Sequence, residues 1–161
     1  MFEDSNNLVE TVKKPDVYLK LKINRATTAI MTSKYTQEVM VLEAESLTAI
    51  PNMPPCILGL MNWHNRILWV VDLARMLNLE SMDKFCQYAV VIIQIESSLL
   101  ALVVQEVKGT SKFIVNDIQS AVDKVISSLL PYVQGCIVEQ EELLLVLDVP
   151  AILDSPVLHN K

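Results

Sequence analysis

Residues recur at one fixed interval: Pro55, Gly59, Asp72 and Leu77 each have an identical residue 76 positions later, in Pro131, Gly135, Asp148 and Leu153. A chain written twice is expected to fold from two copies of one small unit. Copies of about 70 residues hold only a thin core each, so the halves are expected to lean on one another.

Both copies read as a turn, a β-hairpin and a short capped helix. In the first, apolar runs at 58–63 and 66–71 flank His64-Asn65, and Asp72 precedes Leu73-Ala74-Arg75-Met76-Leu77. In the second, runs at 133–138 and 143–147 flank an acidic tip, and Asp148 precedes Val149-Pro150-Ala151-Ile152-Leu153. An Asp at a strand-to-helix junction accepts the unpaired amide hydrogens of the first helical turn, and a Pro is tolerated there because that turn needs few donors. Both Asp72 and Asp148 are therefore read as caps. Upstream the repeat continues with looser spacing. Strands at 17–23 and 29–32 surround Asn24-Arg25, and strands at 88–95 and 99–104 surround Glu96-Ser97-Ser98; Gln37-Glu38-Val39 follows the first pair and Gln105-Glu106-Val107 the second.

Apolar residues make up 52% of the 161 and the mean hydropathy is +0.35. No uninterrupted apolar run approaches the ~18–20 residues of a membrane-spanning helix. Such composition fits strands buried on both faces, together with surface meant for partners. The net charge of −6 and the absence of any Lys/Arg block argue against nucleic acid and anionic lipid, whose phosphates are bound by clustered cations. Residues 1–10 do not resemble a secretory leader, and Cys56, Cys86 and Cys136 are too scattered for a disulfide framework or a metal site, which suits a reducing cytoplasm.

Chemistry is sparse. His64 and His159 lie 95 positions apart without a nucleophile in pattern, and Glu139, Glu141 and Glu142 lack the spaced oxygens and glycine of a Ca²⁺ loop. No catalytic, cofactor-binding or metal-binding residue is assigned, and the chain is read as a non-enzyme. Residues 1–15 read as an arm in which Leu8-Val9-Glu10-Thr11-Val12 alternates like an edge strand. Residues 78–83 form the junction between halves, and 154–161 a tail. Val122, Val125, Ile126, Leu129 and Leu130 keep helical spacing and predict a short helix ahead of Pro131.

The run Ile50-Pro51-Asn52-Met53-Pro54-Pro55-Cys56-Ile57-Leu58-Gly59-Leu60-Met61-Asn62-Trp63-His64-Asn65-Arg66-Ile67-Leu68-Trp69-Val70-Val71-Asp72-Leu73 resembles the signature of the CheW family of chemotaxis adaptors. That signature runs Pro-x-x-Pro, apolar residues, Gly, apolar residues, Asn-Leu-Arg-Gly, then a strand ending in Pro-x-x-Asp-Leu. Gln37-Glu38-Val39 stands where the family has its x-Glu-Val, and the resemblance covers roughly 17–153. The family's Arg-Gly tip is His64-Asn65 here, Trp63 replaces its Leu and Trp69 its Pro, and the segment 29–38 is one residue longer. Asn65 tolerates the left-handed backbone that a hairpin tip requires. His64 lacks the permanent charge and forked donors of Arg.

The resemblance implies a mostly β fold of two packed SH3-like five-stranded β-barrels with short helices, divided as barrels at 16–83 and 84–153. It implies a cytoplasmic scaffold without cofactor, recruited to receptor arrays at the inner membrane face, whose partners are a chemoreceptor signalling tip and the regulatory domain of a CheA-type histidine kinase. Carried over by position, Glu38, Val39, His64, Asn65, Ala89 and Val90 would face a receptor groove, with Glu38 and His64 near one another. Tyr35, Met40, Val41 and Leu42 would form a kinase-facing edge. Gly59 and Gly135 are read as places where a side chain would not fit. Two other classes compete: a sensor binding a small ligand between the halves, and a regulatory paralogue with a different partner. The first needs convergent polar groups, where the sequence supplies mainly Val, Leu and Ile.

Overall fold

Ten strands and three short helices account for most of the chain in a computed structural model that describes residues 16–80 and 86–159. The strands are β1 (Asp16–Lys22), β2 (Thr28–Thr32), β3 (Thr36–Glu43), β4 (Ile57–Trp63), β5 (Arg66–Asp72), β6 (Gln87–Ile95), β7 (Ser98–Val104), β8 (Glu106–Phe113), β9 (Val133–Glu139) and β10 (Glu142–Leu147). The helices are α1 (Leu73–Met76), α2 (Val149–Leu153) and α3 (Pro156–His159). The hairpins and the two capped helices fall where the repeat predicts them. The edge-strand reading of Leu8–Val12 lies outside the described residues, as does part of the junction at 78–83.

Two five-stranded sheets form, in the orders β8-β1-β2-β10-β9 and β3-β6-β7-β5-β4. These sheets overturn the division of the barrels at 83/84. Each one takes a hairpin from one repeat and three strands from the other: β1–β2 sits between β8 and β10, and β6–β7 sits between β3 and β5. The parallel contacts are equivalent, β2 beside β10 (Ala29 opposite Leu145) and β7 beside β5 (Leu102 opposite Val71). Connector length explains the exchange. For β3 to pair with β1 it would have to run parallel to β2, which requires a crossover of about a dozen residues or more. Only the 3-10 turn Ser33–Tyr35 joins β2 to β3, and only Gln105 joins β7 to β8. The third strand of each repeat therefore passes to the other repeat's hairpin.

Each barrel is closed by one isolated bridge, Thr48 with Leu60 and Gln119 with Cys136. A glycine precedes the bridged strand residue in both cases. At Gly59, where φ is +150°, a Cβ would fall against the Thr48 carbonyl oxygen; at Gly135 it would meet the Gln119 carbonyl oxygen and the Ile118 side chain. Asp72 then accepts hydrogen bonds from the Ala74 and Arg75 amides (3.1 and 3.4 Å), and Asp148 from Ala151 (3.1 Å). Their own amides donate to the carbonyls of Cys56 and Tyr132, again 76 residues apart.

Buried side chains form three clusters. Leu42, Met61, Leu68, Val70, Val90 and Ile92 belong to the interior of the β3–β7 barrel. Tyr18, Ile30, Phe113, Ile137, Leu144 and Val146 fill the other. The largest cluster lies between the barrels and takes in both capped helices, through Leu73, Met76, Val149 and Ile152. Hence β2, β7 and β10 are buried on both faces over most of their length, while β3 and β8 alternate.

Two expectations are corrected. The predicted helix before Pro131 is instead a pair of 3-10 turns, Val115–Asp117 and Ser127–Tyr132, with single turns between. Serines at 127 and 128 and the missing amide donor of Pro131 disfavour an α-helix, and the Gln119–Cys136 bridge fixes one end of the segment. Nor are residues 154–161 a loose tail throughout. Ser155 is buried with its hydroxyl 2.7 Å from that of Tyr132, and Val157 and Leu158 pack on the inter-barrel cluster.

Gly59→Ala and Gly135→Ala are each expected to cost about 1–3 kcal/mol by overpacking, seen as lower denaturant midpoints. An unmoved midpoint for either would mean that barrel closure does not depend on that close approach. For Asp72, burial pushes the carboxyl above its ordinary range, against the opposing pull of the Arg75 amide, the Arg75 guanidinium and the Ala74 amide. The folded state therefore holds the proton more tightly than the unfolded chain does. That contribution to stability is full below the ordinary carboxylate pKa of about 3.9 and is lost as pH rises through the raised value. Asp72→Asn keeps an accepting oxygen without the charge, so its stability relative to wild type should improve as pH rises through that window, measured by urea unfolding.

Candidate functional site

The site is built where β3 passes the tip of the β4–β5 hairpin. The tip residues His64 and Asn65 have φ of 51° and 63°, the left-handed pair of a tight hairpin turn, and the Asn65 amide donates to the Asn62 side-chain oxygen at 3.2 Å. On β3, a register shift between Thr36 and Glu38 opposite the Ile93-Ile92 step marks a β-bulge, leaving Gln37 unpaired. The bulge lies within 29–38, the segment read as one residue long, and gives β3 one residue more than its partner strand at that point.

One carboxylate oxygen of Glu38 accepts from the Trp63 indole nitrogen at 3.2 Å and lies 3.4 Å from the His64 Nε2. The Trp63 and His64 rings meet edge to face with centroids 4.5 Å apart. Glu38 and His64 thus come together as the resemblance implies. Their side chains are 42% and 68% exposed, so such a contact contributes at most about 1 kcal/mol to folding. What it provides is an arranged acceptor, indole and imidazole at an accessible rim.

Beside it, strand alternation separates the remaining residues. Val39 and Val41 point outward, 44% and 62% exposed, while Met40 and Leu42 turn inward against the barrel core. Ala89 pairs with Val41 and is half-buried against the inter-barrel cluster. Val90, one residue on, pairs with Met40 and is 0% exposed. It is a core residue, so its assignment to a groove surface is corrected: β6 is apolar on both faces, and sequence alone did not reveal which face looks out. Of the proposed kinase-facing edge, Val41 is exposed, Leu42 is buried, and Met40 and Tyr35 are half-buried, Tyr35 packing on the inter-barrel cluster with the Lys34 amine 5.4 Å from its ring centroid.

Trp63 was visible in the sequence only as a departure from a family Leu, and its hydrogen bond to Glu38 depends on a neighbour 25 residues away. Ile67 and Trp69 were missed as surface. They stand exposed on β5 opposite Asn62 and Leu60, and the alternation Ile67-Leu68-Trp69-Val70 was the available signal.

A family model described as a CheW-like domain matches residues 18–157. Among solved structures, the crystal structure of the scaffolding protein TtCheW from Thermoanaerobacter tengcongensis matches with a TM-score of 0.72 at 19% identity, over 83% of this chain and 89% of that one. No curated protein matches the sequence.

Because Val90 has no route to water, Val90→Asp should act on folding by several kcal/mol, as an unpaired buried charge does. Val39→Asp, on the exposed neighbour, should leave the unfolding midpoint nearly unchanged. Equal midpoints for the two variants would contradict the inward assignment of Val90.

Proposed function

The chain belongs to the CheW-like family, and from that premise we propose that it is a non-catalytic scaffold coupling chemoreceptor tips to a CheA-type histidine kinase in a chemotaxis-type pathway. The observation that carries this reading is the Glu38–Trp63–His64 arrangement beside the outward valines Val39 and Val41. An exposed apolar strip flanked by a fixed acceptor and an imidazole suits the amphipathic helical hairpin of a receptor tip, whose apolar residues would cover the valines while a polar residue engages Glu38 or His64. Asn65 holds the tip in shape, and Ala89 supports β3 from below. The kinase regulatory domain is proposed to take a different surface, since of the edge Tyr35, Met40, Val41 and Leu42 only Val41 is largely exposed and it stands in the receptor strip.

No helix among the described residues is long and apolar enough to cross a membrane. Recruitment to receptor arrays at the inner membrane face is therefore proposed to run through the receptor tip rather than through insertion.

Titration calorimetry of the full chain with a soluble receptor-tip hairpin, and separately with a kinase regulatory domain, tests the assignment. Val39→Asp should weaken receptor binding about tenfold or more, since a charge must then be desolvated against an apolar partner. Added salt should weaken the wild-type contact only modestly, because it is largely apolar. Wild-type receptor affinity in a folded Val39→Asp protein would remove this strip from the interface. Absence of binding to both partners would reject the adaptor reading itself.

A further inference from the structure

The duplication that built the Glu38 site also built a counterpart on the other barrel, with the same backbone and opposite chemistry. Trp63-His64-Asn65-Arg66 corresponds at the 76-residue interval to Glu139-Gln140-Glu141-Glu142. Gln140 and Glu141 have φ of 49° and 66°, close to those of His64 and Asn65, so the turn is retained. An aromatic and basic tip has become an acidic one.

Beside this acidic tip runs a groove of about 460 Å³. Its apolar wall is formed by Leu79, Val125, Ile126, Leu129 and Leu143, and Glu141 and Glu142 stand along one rim. The acidic groups are differently engaged. Glu142 is held by Lys20 at 3.3 Å and by the Thr28 hydroxyl at 3.2 Å, and Glu139 lies 3.9 Å from the same lysine. Glu141 is exposed and has no ion-pair partner among the described residues. Lys20 in contact and Lys108 at longer range face three carboxylates, which leaves the tip negative. Lys124, the only cation lining the groove among the described residues, already donates to the Gln119 side chain at 2.8 Å. The apolar surface continues outside it. Val122 is exposed, and so is Val138, which pairs with Leu143 across β9 and β10.

We propose that this groove is a second docking face, which takes a protein segment carrying apolar side chains and at least one Lys or Arg. The apolar wall supplies contact area, and the rim supplies a carboxylate left over after Lys20 has been matched. Charge complementarity selects the occupant: an acidic segment would be repelled by the rim, as would an anionic lipid surface. The face is separate from the receptor strip: apart from Leu79 its lining comes from the other barrel, and it shares no residue with Glu38, Val39 or His64.

The test uses the isotopically labelled full chain and a short peptide of alternating leucine and lysine. A leucine–glutamate peptide, a serine–lysine peptide and anionic lipid vesicles serve as comparisons. Amide shifts should concentrate at Thr27, Thr28, Val125, Ile126 and Leu143, and appear with the leucine–lysine peptide alone. Glu141→Lys should weaken its binding about tenfold, the equivalent of one charge-assisted contact. Ile126→Ser should weaken it as well, while leaving amide positions elsewhere unchanged. The proposal is overturned if the serine–lysine or leucine–glutamate peptide binds equally, if vesicles produce the same shifts, or if shifts spread over the acidic surface. Unaltered binding in both variants would overturn it too.

Discussion

The apolar layer between the barrels is the contact on which the rest of the structure depends. Each barrel interior is small: of the largest fully buried side chains, one interior holds Ile92 and the other Ile30 and Leu144. Leu21, Met31, Leu73, Leu77, Leu102, Leu147 and Ile152 all belong to the layer that joins the two. At roughly 25 cal/mol per Å² of apolar surface removed from water, a layer of this kind outweighs either interior as a source of stability. It also accounts for the composition. Strands that face a barrel interior on one side and the second barrel on the other are apolar throughout, which raises the mean hydropathy of a chain without any membrane-spanning helix among its described residues.

Hairpin exchange reinforces this dependence. Since β1–β2 completes the sheet of the second repeat and β6–β7 completes that of the first, neither repeat has a sheet of its own. Separating the barrels would expose the inter-barrel layer, and separating the repeats would break both sheets as well. Such coupling provides a rigid frame on which two differently charged hairpin tips are held at fixed positions. Duplication made the tips equivalent in backbone, and divergence of their side chains gave them different chemistry, an indole and imidazole at one and carboxylates at the other.

Legibility in the sequence followed the range of the interactions. The hairpins, the left-handed tip at Asn65 and the caps at Asp72 and Asp148 rest on residues a few positions apart and were readable, while the left-handed pair at Gln140 and Glu141 was not. Gly59 and Gly135 were readable as steric requirements, although the carbonyls they make room for, at Thr48 and Gln119, were not. The parity of β3 was not readable: Val39, Met40, Val41 and Leu42 are four consecutive apolar residues, read in part as one edge, and only the fold separates the outward valines from Met40 and Leu42. Nor was the parity of β6, because Val90 and Val91 are chemically alike and both are buried, one in the barrel and one between the barrels. At 115–130, helical spacing was misleading, since local propensity and the bridge to Cys136 favoured short turns instead.

Sequence alone determined that this chain is a duplicated β-protein, where its hairpins turn and which residues start its helices, because these depend on local backbone preferences and near-neighbour hydrogen bonds. Only the tertiary structure decided which hairpin completes which sheet, which face of β6 is inside, and that Trp63 and His64 converge on Glu38. The physical reason is that two similar hairpins offer nearly the same edge to a third strand. Short connectors and burial of the shared apolar layer resolve that choice, and both act only once the two repeats have met.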